Sequence, residues 1–561
     1  MTQNTFTPLQ RFFRMLEPNG KAIRNLYIFA IINGLIALSL PLGIQAIINL
    51  IQGGEISASW ILLVAIVLLG YLFSGVLQIV QLRITEDLQK DIFVRSAFDF
   101  AYRIPRIKME VLEKHYAPEL MNRFFDTITI QKGVAKILME FTAAALSILF
   151  GLILLSFYHP FFILFSLLVI LVVIVLGRYI FQRGLRSSIT ESKYKYKVAF
   201  WLEEVARTNT TFRLSCDGSL PVKKTDELVS SYIDAREVHF GVLLRQYYVF
   251  LIFKLLIAAG FLLLGGILVF NQQMNIGQFV ASEIIVLLLI SSVEKLLLIM
   301  ENIYDLLTSI EKIGQVMDMD LENSDSASIQ DVNKPEGLSV NINQLYFKYP
   351  DDNEYSLKGL NLNIDANERV CITGSNGSGK ATLLKLMTAF FEPQRGTILY
   401  DNIPLKNFNV TELRGIIAEC ITQDRIFDGT LLENLTVGKQ FKLEKIGEIL
   451  DQVGLASFVQ QLPEGYSTKI GPQGRRLPGS ISQKVILARN LLKSPRLLII
   501  EDIFKNLERK EKLDLFKTVL DTNKSKTIVI VSKDPDIMKL TDKVITLEQG
   551  EVSKVVLNSK K

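Results

Sequence analysis

Residues Val370–Met387 read VCITGSNGSGKATLLKLM. The first four, Val370–Thr373, form a short apolar run bounded by glycine, the pattern of a buried strand. Gly374, Ser375, Asn376, Gly377, Ser378, Gly379 and Lys380 follow as GSNGSGK, and then comes a helical stretch, ATLLKLM. Strand, glycine loop and helix in this order let backbone N–H groups converge on phosphate oxygens. The helix start adds favourable polarity, and Lys380 is placed to reach terminal phosphates. A plain structural turn is the competing reading. The first helical residue after the lysine is Ala381, where the pattern calls for a serine or threonine hydroxyl to ligate a cation. A methyl group cannot do so. Thr382 carries a hydroxyl, but about 100° further round the helix. The loop is therefore expected to hold phosphates better than it organises a metal.

Further apolar runs surround this loop: Leu338–Ile342, Leu497–Ile500, Thr527–Val531 and Lys543–Leu547 read as strands. Helical patterns lie between them, at Thr382–Phe391 and Ile481–Leu492, so residues 338–561 read as a mixed α/β domain. Before it, residues 318–337 read DMDLENSDSASIQDVNKPEG, acidic and Ser/Asn-rich without an apolar period. This is expected to be a linker, leaving residues 1–317 as a separate domain.

That first part is of a different character. The whole 561-residue chain is 49% hydrophobic and 21% charged, which disfavours disorder. The apolar surplus is concentrated before residue 318. Stretches of spanning length occur near 26–50, 60–82, 137–158, 160–181, 247–270 and 278–300, each close to the ~20 residues a helix needs to cross hydrocarbon. Pro41 and Gly43 predict a kink in the first. The joints before Trp60, at Tyr158–Pro160 and at Asn271–Asn275 lack lysine and arginine, whereas 83–136 and 182–246 are rich in both. Basic segments stay inside, so both termini are expected to be cytoplasmic. The two basic segments are long enough for helices to run past the bilayer and turn in water. His115–Asp126 and Phe200–Phe212 are the regions expected to dock on another domain. The N-terminal 24 residues carry no evident signal peptide and have room only for a short interfacial helix. Glu283 and Glu294, in or beside the sixth span, are expected to face the bundle interior or a polar path.

The remaining composition narrows the classes. With 62 Lys+Arg against 57 Asp+Glu the net charge is +5, too small over this length to imply nucleic acid. Cys216, Cys371 and Cys420 are far apart and form no metal or disulfide framework. The only histidines are His115, His159 and His239, so the second part has none.

On these residues the chain resembles an ABC transporter of the exporter type, six membrane helices fused to one P-loop nucleotide-binding domain, over nearly its whole length. Tyr349 in LYFKY matches the aromatic residue that stacks on adenine. GSNGSGK, with Ala381 and Thr382 at the helix start, matches the Walker A loop. Gln423 in CITQDRIFDGTLLENL matches the glutamine loop, which contacts metal and attacking water and links the nucleotide site to the membrane part. LPEGYSTKIGPQGRRL (Leu462–Leu477) matches the stretch before the family signature, and ILARNLLKSPRLLII the stretch after it. The resemblance implies ATP and Mg2+ as ligands and a dimer, with a second copy or with a similar half-transporter. The membrane half is most similar to peptide, bacteriocin and type I secretion exporters without a peptidase domain. That likeness implies a bacterial inner membrane and brings in a periplasmic adaptor as a further partner.

The departures from the family pattern are concentrated in catalytic motifs. The signature LSGGQ stands here as Leu477, Pro478, Gly479, Ser480 and Ile481. Pro478 removes a hydroxyl and an N–H that contact phosphate from the opposite subunit, although proline is compatible with a helix start. After Leu497–Ile500 come Glu501 and Asp502, the reverse of the family's Asp-Glu order. Glu501 is thus assigned to the metal and Asp502 to the attacking water, each with altered reach. Lys533 follows Ser532 where the family has histidine, and it offers phosphate a point charge without an imidazole's two-sided hydrogen bonding. Two readings follow: an exporter subunit with weak or partner-dependent hydrolysis, or a pseudo-ATPase serving as a structural or regulatory subunit. In a dimer of two composite sites, one takes this chain's Walker motifs and the other its signature, so both inherit a defect.

Overall fold

The structure is a computed structural model. It describes the chain except residues 1–5, 53–57, 216–217, 323–333, 422–424, 475–476, 502–503, 505 and 559–561. Contacts divide the chain into two compact units, one of Met1–Pro105 with His115–Met319 and one of Arg106–Lys114 with Asp320–Lys561.

The first unit is helical. All six expected spans lie in helices: Gly20–Ala37 with Ser39–Gln52, Ala58–Arg103, the π-turn Ile137–Phe141 with Thr142–Ser156, Pro160–Arg207, Ser219–Phe270 and Ile276–Met317. Shorter helices such as Pro8–Leu16 and Ala117–Asn122 take the number beyond six. The first span breaks at Leu38, not at Pro41, because a proline ring nitrogen cannot donate to the carbonyl four residues earlier, at Ala37. Ala58–Arg103 has 46 residues, about 69 Å of helix, more than twice a ~30 Å hydrocarbon layer. Four stretches of the described residues, Pro8–Gln52, Ala58–Arg106, Ala117–Ser156 and Ser219–Phe270, are apolar and long enough to span. Pro160–Val175 is a shorter apolar stretch.

Close approach of these helices is set by small residues. Gly184 sits against Tyr304, where an added Cβ would lie 2.2 Å from the ring. The expected interfacial helix is Pro8–Leu16, opened by a capping box between Thr7 and Gln10. Its Arg11 bridges to Asp318 at 2.6 Å and Glu311 at 3.6 Å.

Within the first basic segment, His115–Asp126 groups with the helical unit, and Arg106–Lys114 with the second unit. Ile107 is 3% exposed and pairs in a β-bridge with Leu321, and Met109 packs on that unit's core. Polar Lys114 ends the segment, whereas the apolar side chains that can anchor it lie earlier.

The second unit holds a six-stranded sheet ordered Glu551–Leu557, Lys543–Glu548, Arg369–Gly374, Thr527–Val531, Leu497–Glu501 and Ile417–Cys420. Its four pairings from Lys543 onward are parallel, and only Glu551–Leu557 runs against its neighbour. The antiparallel sheet beside it comprises Leu357–Ile364, Val340–Phe347, Arg395–Tyr400 and Ile403–Pro404. Alternation sorts the strand side chains: Val370, Ile372, Leu497, Ile499 and Val529 enter one core, and Leu498, Ile500, Ile528 and Ile530 another. Burial on both faces explains why these strands are continuous apolar runs. The helix read as Thr382–Phe391 spans Lys380–Met387; it stops where Ala389 turns to φ 56°.

Candidate functional site

The register fixes what meets at the sheet's carboxyl edge. Val531 pairs with both Ile372 and Glu501. Three adjacent parallel strands therefore end together, delivering the Gly374 loop, Glu501 and Ser532–Lys533 to one edge. Ligands of open α/β sheets bind at such an edge.

The loop's glycines are required by geometry. Gly374 has φ 148°, and an added Cβ would come within 2.2 Å of the Leu547 carbonyl oxygen. Gly379 has φ 95° and would strike Leu357 and the Ser356 carbonyl. Ser378 is buried, and its carbonyl accepts from Gly550 N at 3.3 Å. Lys380 folds over the loop, its Nζ donating to Gly374 O at 3.0 Å, Ser375 O at 2.6 Å and Ser378 Oγ at 3.2 Å. Burial holds its pKa below the usual lysine value; Lys533 adds to the depression and Glu501 opposes it. Lys533 Nζ donates to Asn376 Oδ1 at 2.9 Å. Two ammonium groups thus converge on one loop of backbone N–H groups, an arrangement that favours a polyanion.

The other expected residues divide by location. Tyr349 is half-buried, edge-on to Phe347 and Phe391, and its Oη lies 3.3 Å from Thr382 Oγ1. Thr382 is buried and engaged there, while Ala381 is exposed. Pro478 precedes the Gly479–Leu492 helix with φ −54°, and its carbonyl accepts from Ser482 N at 3.0 Å. Asn506 packs so close to Gly479 that an added Cβ would lie 2.6 Å from its Nδ2. Among the described residues no hydrogen bond joins Pro478, Gly479 or Ser480 to the loop. Gln423 and Asp502 lie outside the described residues.

The donor set fits phosphates. For a cation, the described residues offer Glu501 at this edge and a methyl at position 381, and none of them forms a group of three His, Cys, Asp or Glu side chains suited to a metal.

One contact had no signal in the sequence. Lys385 Nζ donates to Glu113 Oε1 at 3.0 Å and lies 5.3 Å from the Tyr349 ring centroid. It follows Thr382 by three residues and so shares its helix face. Only knowledge that Tyr349 packs on this face would have singled it out.

Comparison with known proteins accords with this geometry. Residues 23–293 match the ABC transporter transmembrane region and residues 357–504 the ABC transporter family. The lactococcin-A transport/processing ATP-binding protein LcnC of Lactococcus lactis is 23% identical over 98% of this chain and 76% of its own length. The alpha-hemolysin translocation ATP-binding protein HlyB of Escherichia coli O157:H7 is 25% identical over 63% of this chain and 50% of its own. Among the first matched relatives the aligned stretch spans 41% to 50% of their length. A bacterial Atm1-family ABC exporter solved with ATP bound shares the fold, with TM-score 0.83 and 18% identity over 95% of this chain and 94% of that one.

Proposed function

Because the chain belongs to the ABC transporters, as an exporter with its transmembrane and nucleotide-binding domains fused, we propose that it binds ATP and moves a peptide or protein out of the cytoplasm, with slow hydrolysis. The observation that carries this reading is the meeting of Lys380, Lys533 and the glycine loop at one sheet edge. Phosphates replace the loop carbonyls as partners of Lys380, and Lys533 keeps a second positive charge beside them. Tyr349 contributes the base-stacking face, and Ser375, Gly377 and Ser378 offer backbone N–H groups. Mg2+, when bound, neutralises phosphate charge, and Glu501 and Gln423 are the residues assigned to it. Asp502 is assigned to orient the attacking water. Pro478, Gly479 and Ser480 cover the phosphates of a partner subunit, so the protein acts as a dimer with itself or with a similar half-transporter. The relatives named for alpha-hemolysin translocation and lactococcin-A transport support a peptide or protein cargo. A periplasmic adaptor, a bacterial inner membrane and cytoplasmic termini belong to the same proposal, the last from the basic segments at 83–136 and 182–246.

A second reading rests on Ala381 and Thr382. The first presents a methyl group, and the second spends its hydroxyl on Tyr349. A pseudo-ATPase would keep the phosphate cradle and lose turnover. ATP binding and ATP turnover measured on the protein purified into lipid bilayers separate the two. Binding with slow turnover that cargo accelerates supports the exporter. Binding with no turnover under any condition supports the pseudo-ATPase, and the absence of binding removes the exporter reading.

A further inference from the structure

His239, on Ser219–Phe270, is fully buried, yet only one of its ring nitrogens is hydrogen-bonded. Its Nδ1 lies 2.8 Å from Ser187 Oγ, on Pro160–Arg207. That hydroxyl donates to the carbonyls of Arg183 and Gly184, at 3.0 and 2.9 Å, so its own proton is already engaged. Nδ1 must therefore carry the ring proton, and Nε2 presents a bare lone pair. Among the described residues Nε2 has no partner. The Tyr304 ring, from Ile276–Met317, stands nearly at right angles to the imidazole, 6.1 Å between centroids. The same three helices are tied beside it by Ser188 Oγ and Thr308 Oγ1 at 2.9 Å, and by Gln246 donating to Tyr304 Oη at 2.9 Å.

Charged groups face this ring from all three helices. Arg236, one turn before His239, reaches Glu191 at 3.3 Å and Glu301 at 3.5 Å. Tyr232 Oη donates to Glu191 at 3.3 Å. Asp305, one turn beyond Glu301, interacts with Glu301, Glu191 and Arg236, and with Lys195. A proton on Nε2 would add a second cation beside Glu191 and Glu301, in competition with Arg236. It would also create a buried N–H donor without an acceptor, which is costly. Arg236 is half-buried, so it can turn to water when displaced. The ring lies about 12 Å of helix before the apolar run near 247–270, outside hydrocarbon and within the basic segment 182–246.

We propose that His239 is a proton-binding site that works as a release: neutral, it locks the seam between these three helices, and protonated, it lets the seam open to water. Burial holds the imidazole below its ordinary value; Glu191 and Glu301 oppose this, and Arg236 reinforces it. The folded state therefore binds this proton less tightly than the unfolded state does. The seam is at full strength above an ordinary histidine's value of about 6.5 and weakens as pH falls from there through the folded value.

The test uses the full chain in mild detergent, with nitrogen-labelled histidine followed by NMR and backbone hydrogen exchange read alongside. The only histidines are His115, His159 and His239, so His115→Gln with His159→Gln leaves one imidazole whose signals need no assignment. The expected ring is neutral and protonated at Nδ1 near pH 7, and it titrates below an ordinary histidine. Exchange across residues 184–191 and 232–246, corrected for the intrinsic effect of pH, should quicken about threefold or more from about pH 7.5 to about pH 5.5. His239→Asn keeps an amide donor at the Nδ1 position but cannot take up the proton, so it should lose this acceleration. Asp305 titrates with the opposite sign and is present in both proteins, so the comparison isolates His239. Unfolding temperatures at about pH 7.5 identify a variant that fails to fold; should H239N be one, the ring's tautomer and titration decide. A ring protonated at Nε2 overturns the proposal, as does titration at or above the ordinary value. So does acceleration that is absent from the parent or equal in a folded H239N.

Discussion

Ala381 puts a methyl group on the exposed first turn of the loop's helix, and the neighbouring hydroxyl of Thr382 is buried against Tyr349. The loop can bind phosphates through backbone N–H groups without help from a metal, so magnesium should add little to ATP affinity. Chelating magnesium should shift the parent's ATP dissociation constant by less than about twofold, whereas Ala381→Ser should gain about tenfold from magnesium, or about 1.4 kcal/mol. Titration calorimetry with magnesium or with EDTA reads this directly, and an equal metal effect in both proteins would refute the account. A second residue-scale prediction concerns Asp305, about 44 Å along its helix from Ile276 and so beyond a ~30 Å hydrocarbon layer. Burial pushes its carboxyl up to about 6, with Glu301 and Glu191 adding repulsion against Lys195 and Arg236. The folded state therefore binds this proton more tightly than the unfolded state does. Stability falls as pH rises from about 4 to about 6, and the cost is complete above that window. Its side chain is nevertheless exposed at the surface, so solvent screens the effect and the pH dependence is shallow. Asp305→Asn should raise the unfolding temperature more at pH 7.5 than at pH 5. A gain independent of pH would mean that packing, not charge, sets the difference.

Between helices the decisive quantity is space. Gly184 gives Tyr304 its place, and an added Cβ would overlap the ring and hydroxyl at 2.2 to 2.6 Å. Tyr304 is fully buried and held by Gln246, so it has little room to retreat. Gly184→Ala should destabilise the protein by about 1–3 kcal/mol through overpacking. Gly241→Ala, on Ser219–Phe270 with nothing within 4 Å, is the matched control and should be neutral or slightly stabilising through helix propensity. Thermal unfolding compares them, and equal effects would show that Tyr304 is not confined. This contact also marks where sequence reading stops. Spans were legible because hydrocarbon demands long apolar runs, and the central strands because a sheet buried on both faces does too. GSNGSGK was legible because each glycine answers a backbone demand. Which helix faces touch is a tertiary outcome, and neither Gly184 nor Tyr304 stands out in its own stretch. Arg106–Lys114 escaped notice for the same reason: Ile107 and Met109 are two apolar residues in a basic region, without a period to announce burial.

At the scale of the molecule, a membrane-bound chain must tell its helices what the nucleotide site is doing. The described residues contain one physical link of that kind within the second unit. Arg106–Lys114 leaves the helical unit in sequence and joins the second unit in space. Glu113 there accepts from Lys385, whose ammonium lies over the Tyr349 ring and near the Phe391 ring at 5.4 Å. Burial works against this charge, but the Glu113 hydrogen bond and the Tyr349 oxygen outweigh it and hold the Lys385 pKa above its ordinary value. Tyr349 is the residue assigned to stack on adenine, so base binding and the Arg106–Lys114 segment share one cation. A base stacked on Tyr349 changes the ring's position, and Lys385 cannot keep both partners unless the segment follows. ATP should therefore increase hydrogen-exchange protection across residues 106–114 in the parent protein. Lys385→Met keeps much of the side chain's length without the charge, and should abolish that response while leaving phosphate contacts at Lys380 in place. ATP affinity in K385M should fall by no more than about tenfold, the cost of one cation–ring contact of about 0.5–1 kcal/mol and the strained pairing beside it. Glu113→Gln, which weakens the same pair from the other side, should show the same loss of response. If residues 106–114 respond to ATP equally in the parent and both variants, the signal travels by another route and Lys385 is only a packing residue.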